Sequence, residues 1–230
     1  MSAEQLGDMR TEYSKSLLAL GEEDPNIVVL GADTTDSLKT ADFGKKFPER
    51  FFNAGIAEAN MIGTAAGLAM AGMKPIVVQP RMDFMLYAMD AIVNQAAKWS
   101  HMLGGQGHPS VTIRGIINRG GEQGAQHSQA LHAWFAHVPG LRVVMPSTVS
   151  DARDLMIASV LCKDPVVYID DRWLYDQELE LPPIVEMNLK SQRPLITQSG
   201  TDITIVASGH ASYLAREASK KLVADNISPE

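Results

Sequence analysis

Short, unbroken apolar runs alternate with longer helical stretches from about residue 10 to residue 171, and this alternation limits the chain to very few folds. NIVVLGAD (26–33), KPIVVQP (74–80), SVTIRG (110–115), RVVMPS (142–147) and PVVYIDD (165–171) are each too short for a helix, and their cores lack the polar–apolar alternation of a half-exposed strand. Runs of that kind belong to strands buried on both faces. Between them lie YSKSLLALGEED (13–24), EANMIGTAAGLAMAG (58–72), DFMLYAMDAIVNQAAKWSHMLGG (83–105) and SDARDLMIASVLCK (150–163), all read as helices. Four or more strand–helix units imply an α/β fold, a parallel sheet with helices on both faces. Ligands in such sheets meet the loops at the carboxyl ends of the strands.

After Asp171 the pattern stops. DRWLYDQELELPPIVEMNLKSQRPLITQSG is rich in proline and has no period, so it reads as a connector. TDITIVASGHASYLAREASKKLVADNISPE (201–230) then restarts a strand, a Ser-Gly-His turn and a helix. We therefore expect a domain over 1–182, a linker over 183–200, and the truncated start of a C-terminal α/β domain over 201–230.

The net charge of −7 and the lack of any Lys/Arg run argue against nucleic acid or an anionic membrane as partner. The opening MSAEQLGDMRTEYSK has no apolar core of a signal peptide, and MIGTAAGLAMAGMKPIVV is broken by Lys74-Pro75 before it could span a bilayer. The single Cys162 excludes a disulfide framework, fits a reducing, cytoplasmic setting, and is expected to be a packed core thiol. Gly-x-Gly-x-x-Gly, Walker, His-Glu-x-x-His and Gly-Asp-Gly motifs are all absent, so no phosphate cradle is visible.

Three constellations carry possible chemistry. Glu58 opens a helix of small residues whose Gly63 and Gly67 would permit close backbone approach. Either it complements the helix dipole or it aims a carboxylate at a ligand. Phe84 opens the helix after KPIVVQP and is either core or a stacking platform. His127 ends the loop GGEQGAQHSQ, with Ser128 as the expected cap of the next helix; a lone loop histidine is usually solvated. His132 and His137 read as structural, Arg119 and Glu122 as loop charges.

NAGIAEANMIGTAAGLAMAG followed by AQHSQALHAWFAHVPGLRVVMPSTVSDARDLMIASVLCKDPVVYID resembles the pyrimidine-binding domain of the thiamine-diphosphate, transketolase-like superfamily. Within it the chain is most similar to beta subunits of the first component of 2-oxo-acid dehydrogenase complexes. The resemblance covers residues 10 to 180, and SGTDITIVASG resembles the first strand of that family's C-terminal domain.

The resemblance implies roles. Glu58 matches the catalytic glutamate that hydrogen-bonds the aminopyrimidine ring and promotes its imino tautomer. Phe84 matches the aromatic that stacks on the pyrimidine, and His127 the histidine facing the substrate carbonyl. The implied cofactor is thiamine diphosphate shared with a partner chain, its magnesium held mainly by that partner and by no residue here. The implied partner is an alpha-type subunit carrying the diphosphate-binding domain, with self-association and, as an open further partner, a lipoyl acyltransferase. The implied reaction is oxidative decarboxylation of pyruvate or a branched-chain 2-oxo acid. Two alternatives stand beside it. One is a split transketolase or deoxyxylulose-phosphate-synthase-like subunit, for which Arg81, Arg114 and Arg119 are the candidate phosphate ligands. The other is a non-catalytic pyrimidine-domain module.

Overall fold

A computed structural model describes residues 6–34, 38–120 and 122–230. The elements in chain order are β1 (Leu6–Asp8), α1 (Met9–Glu23), β2 (Ile27–Gly31), α2 (Ala41–Lys46), β3 (Phe51–Asn53), α3 (Glu58–Met70), β4 (Lys74–Val78), α4 (Trp99–Met102), β5 (Thr112–Ile117), α5 (His132–Ala136), β6 (Arg142–Val144), α6 (Val149–Leu161), β7 (Val166–Asp171), β8 (Glu178–Glu180) and α7 (His210–Ala224). Six strands form one parallel sheet in the order β3-β2-β4-β5-β7-β6. The expected fold is present. A short antiparallel pair, β1 with β8, stands apart from the sheet and ties the first described residues to the end of the β7 region.

Successive residues of β2 serve opposite cores. Val28 and Leu30 pack with Met61, Ile62 and Ala65 of α3, while Ile27 and Val29 pack with Tyr13 and Leu17 of α1 and Met156 of α6. Every residue of β2, β5 and β7 is buried, which explains why these runs are mainly apolar: a polar residue on either face meets packed chain instead of water, and Arg114 of β5 and Asp170 of β7 are accommodated there as an ion pair. Each fully buried aliphatic or aromatic side chain here contributes about 1.5–3 kcal/mol. Caps fix two of the helices on the α1/α6 side. Asp8 accepts from the backbone N–H groups of Arg10 and Thr11, and Thr148 from that of Asp151.

Several expectations are corrected. The stretch 83–105 is not one helix but a 3₁₀ turn over Met82–Ala88, a π-helical turn over Ala91–Ala96 and the short α4. The Ala97 N–H reaching back to the Ile92 carbonyl (3.0 Å) marks the widened π turn. Gly63 and Gly67 meet no approaching backbone; the space over both is open. The role of close approach falls instead to Gly115 in β5, where an added Cβ would lie 2.7 Å from the Met85 sulfur, so its hydrogen lets the Met82–Ala88 turn lie against the sheet. Cys162 is no core thiol. It is half-buried at the C-cap of α6.

The chain beyond β8 is built differently. Residues 181–200 carry no helix or strand, and guanidinium groups hold them to the body: Arg153 donates to the Pro182 and Pro183 carbonyls (2.8 and 3.1 Å) and Arg142 to that of Leu189 (3.1 Å). The strand expected after residue 201 does not form. Ile203 makes an isolated bridge to Pro229, and the described residues offer no longer edge for it to pair with. The expected helix is present as α7. Its first turn seats on the carboxyl end of β7: the His210 N–H donates to Asp171 Oδ2 (3.1 Å), and the His210 ring lies between Trp173 (5.3 Å between centroids) and Tyr213 (5.8 Å).

Candidate active site

A cleft of about 840 Å³ opens at the carboxyl edge of the sheet. Its walls are the loop after β2 (Ala32 to Thr34), the β3–α3 turn and the first residues of α3 (Ile56 to Asn60), and the turn after β4 (Pro80, Phe84 and Tyr87). Two adjacent strand ends are locked together to make it. Asp33 N–H donates to Asn53 Oδ1, and Asn53 Nδ2 returns a bond to Asp33 Oδ1, both 3.1 Å. Asp33 has φ +49°, a left-handed conformation that an aspartate tolerates better than most residues. Gly55, at φ +68°, then turns the chain toward α3.

Glu58 is the first residue of α3, and that helix lacks a side-chain cap because Ala57 precedes it. The Glu58 carboxylate is half-buried, lines the cleft, and has no hydrogen-bond or ion-pair partner among the described residues. Phe84 lines the same cleft. Its ring meets the His127 imidazole edge-on, with centroids 5.2 Å apart and planes at 85°. Glu58 and Phe84 therefore share one cleft, whereas His127 lies outside its lining and touches it through Phe84. Ile56 and Tyr87, each about four-fifths exposed, form an apolar lip.

A polar rim lies beside His127. Asn118, buried at the end of β5, donates to Gln123 Oε1 (3.1 Å) and accepts from Arg172 (2.6 Å). Glu122 pairs with Arg172 (2.9 Å), and Arg119 pairs with Asp176. Arg119 and Glu122 are thus rim ion pairs as well as loop charges. Arg81 donates to the same Gln123 oxygen (2.9 Å) and forms no ion pair among the described residues. Burial and the nearby Arg172 charge lower its pKa. Ser128 does not cap a helix; it donates to the Arg119 carbonyl (3.3 Å), and α5 starts four residues later. His132 opens α5 with Nδ1 buried and unpartnered, and His137 is the C-cap residue of the same helix.

The candidate phosphate ligand Arg114 is unavailable. It lies fully buried in β5, bonded to Asp170 and the Leu38 carbonyl (3.1 Å), with its guanidinium 3.6 Å from the centre of the Tyr13 ring. Burial opposes its charge, but the Asp170 carboxylate together with Tyr13 and Tyr175 outweighs that and holds its pKa above the ordinary arginine value.

Asp83, Asp33, Asn53 and Asn118 were not singled out by sequence pattern. The one available signal was Asp83, an acidic residue inside the otherwise apolar MDFMLYAM. Among the described residues no group of three or more His, Cys, Asp or Glu side chains could hold a metal ion. No helix there is long and apolar enough to cross a membrane.

The family profile of the transketolase pyrimidine-binding domain matches residues 7–177. The chain belongs to that family. It is 35% identical over 189 residues to the pyruvate dehydrogenase E1 component subunit beta of Rhizobium meliloti, covering 82% of this chain and 40% of that one. It is also 35% identical to the acetoin:2,6-dichlorophenolindophenol oxidoreductase subunit beta of Cupriavidus necator, covering 90% of this chain and 65% of the relative. The chain thus spans between 40% and 65% of the length of these two relatives. In structure it is similar to a split-gene transketolase described as an inactive beta4 tetramer, with a TM-score of 0.80 at 32% identity over 96% of this chain and 69% of that one. A transketolase from Pichia stipitis, 22% identical with a TM-score of 0.75 over 99% of this chain and 34% of that one, shares the fold.

Proposed function

We propose that this chain is the beta-type subunit of a thiamine-diphosphate-dependent 2-oxo-acid dehydrogenase, supplying the pyrimidine-binding half of an active site that an alpha-type partner completes. The observation that carries this reading is the half-buried Glu58 carboxylate, without a partner among the described residues, in one cleft with the apolar side chains of Phe84, Ile56 and Tyr87. A partly dehydrated carboxylate without a partner in its own chain lacks compensation until a donor arrives. A flat heteroaromatic ring with nitrogen at its edge meets both needs.

The donor set fits the coenzyme's pyrimidine. Phe84, Ile56 and Tyr87 offer apolar surface for the ring, and Glu58 offers an acceptor that also exchanges a proton. Thiamine diphosphate, when bound, supplies the nucleophile that attacks the 2-oxo carbon. The chain's part is to orient the ring, hold or move a proton at the Glu58 carboxyl, and present His127 to the substrate from beyond Phe84. Domain limits of 1–182, 183–200 and 201–230 accompany this proposal. The same proposal assigns magnesium and diphosphate mainly to the partner, since they need octahedral oxygen ligands and the sequence carries no Gly-Asp-Gly motif.

A second reading, a split transketolase acting on sugar phosphates, draws support from the likeness to the split-gene transketolase. Of its three candidate phosphate ligands, however, Arg114 is buried in an ion pair and Arg119 is paired with Asp176, which leaves Arg81.

Isothermal titration separates a shared site from a complete one. The isolated chain is expected to bind thiamine diphosphate with magnesium only weakly, since a pyrimidine contact alone cannot offset the cost of immobilising the coenzyme. Tight binding and turnover of a 2-oxo acid should appear when an alpha-type subunit is added. Sub-micromolar binding by the chain alone would overturn the assignment.

A further inference from the structure

Four consecutive residues of the turn after β4 each hold a different residue of the loop after β5. Arg81 Nε donates to Gln123 Oε1 (2.9 Å). Met82 Sδ accepts from the Leu131 N–H (3.0 Å). Asp83 Oδ1 accepts from Gln129 twice, from the side-chain Nε2 at 2.7 Å and from the backbone N–H at 3.3 Å. Phe84 meets the His127 ring. The two segments are more than 40 residues apart in sequence, yet they are stitched along their whole length.

Asp83 is the unusual member. It is 6% exposed between the fully buried Met82 and Met85, and its Oδ2 is buried without a partner. Packing alone would favour a third apolar side chain there, because a buried carboxylate with one oxygen unmet is costly. What Asp83 does obtain is the pair of Gln129 bonds, two residues beyond His127.

We propose that Asp83 is a positioning residue: by anchoring Gln129 through Oδ1 it fixes His127 against Phe84. The role assigned to that posture rests on the proposed function, but the anchoring itself does not. The loop is also held at Gln123, Ser128 and Leu131, but none of those bonds involves the His127 side chain, so losing the Gln129 anchor lets the segment around His127 carry the imidazole away from Phe84. The acceptor atom is what matters, so an asparagine that presents its amide oxygen to Gln129 preserves the posture.

The test reads the histidine ring directly, in the full chain and without partner or coenzyme. In ¹³C-histidine-labelled protein, the His127 signal is assigned with His127→Gln and its ring-current contribution with Phe84→Leu. The signal should lie away from those of the exposed His101 and His137 in the wild type and in Asp83→Asn. In Gln129→Ala and Asp83→Ala it should move to the exposed-histidine position. Gln129 is exposed, so its alanine variant should keep the wild-type melting temperature. It decides the matter even if Asp83→Ala fails to fold. A displaced His127 signal that survives Gln129→Ala, or one lost in Asp83→Asn as in Asp83→Ala, would overturn the proposal. Neither result touches the coenzyme reading, which stands or falls on titration with the partner.

Discussion

Arg114 with Asp170 in the sheet interior, and Glu58 at the sheet's edge, are charges in opposite circumstances. Arg114 and Asp170 are almost wholly dehydrated, and each finds its counter-charge, with further bonds to the Leu38 carbonyl and the Tyr175 hydroxyl, inside the same chain. Glu58 is only partly buried and finds no partner among the described residues. A buried charge that is satisfied internally is part of the architecture, and one left unsatisfied beside a cleft marks where something else belongs. Burial alone would rank these residues in the wrong order for function.

The largest effect that sharpens this contrast is expected from Glu58→Gln. The amide keeps the shape and a hydrogen bond but cannot exchange a proton, so turnover with an alpha-type partner should fall roughly 100- to 10,000-fold. Stability should change by no more than about 0.5 kcal/mol, as no internal contact is lost. Parallel activity and urea-unfolding measurements check both halves, and full activity in the variant would remove Glu58 from the chemistry.

Asp170→Ala should do the converse. It leaves the Arg114 guanidinium dehydrated and unpaired, which typically costs about 3–5 kcal/mol. The double variant Arg114→Met with Asp170→Leu should recover most of that loss, since an apolar pair of similar volume avoids the desolvation that the ion pair must offset. Urea midpoints of the three proteins decide it. A single variant as stable as the wild type would show that the pair is not structural.

How much of this was legible in the sequence follows the range of the forces involved. The sheet was, because burial on both faces imposes unbroken apolar runs such as NIVVL and PVVYI that no other element needs. The placing of Glu58 and Phe84 near the carboxyl edge of the sheet was, because the ends of strands and starts of helices are marked locally. The division of 83–105 into three short helical types was not: apolar spacing does not distinguish an α-helix from one interrupted by a π turn. Ser128 misled because a serine before an apolar run is a cap signal, but here its hydroxyl finds the Arg119 carbonyl instead. The strand after residue 201 was a local propensity without an edge to pair with. The Asp83–Gln129 bonds were out of reach because they join two segments that meet only once β4 and β5 are side by side.

The smallest effect concerns the tyrosines around the interior pair. Burial, reinforced by the Asp170 charge, raises the pKa values of Tyr13, Tyr168 and Tyr175 above the ordinary tyrosine value, although Arg114 pulls each back in part. Below about pH 10 both folded and unfolded chains keep these protons, and their contribution to stability is intact. Above it the unfolded chain releases them while the folded chain does not, so stability falls by up to about 1.4 kcal/mol per pH unit for each tyrosine. Tyr175→Phe removes one titrating group together with the 3.2 Å bond to Asp170. At pH 8 that variant should be about 1 kcal/mol less stable than the wild type. By pH 11 the gap should have closed, because the variant has one proton fewer to lose on unfolding. Urea unfolding at pH 8, 10 and 11 measures the two slopes. If they ran parallel, the Tyr175 hydroxyl would be exchanging with solvent, and the interior would be wetter than its fully paired charges indicate.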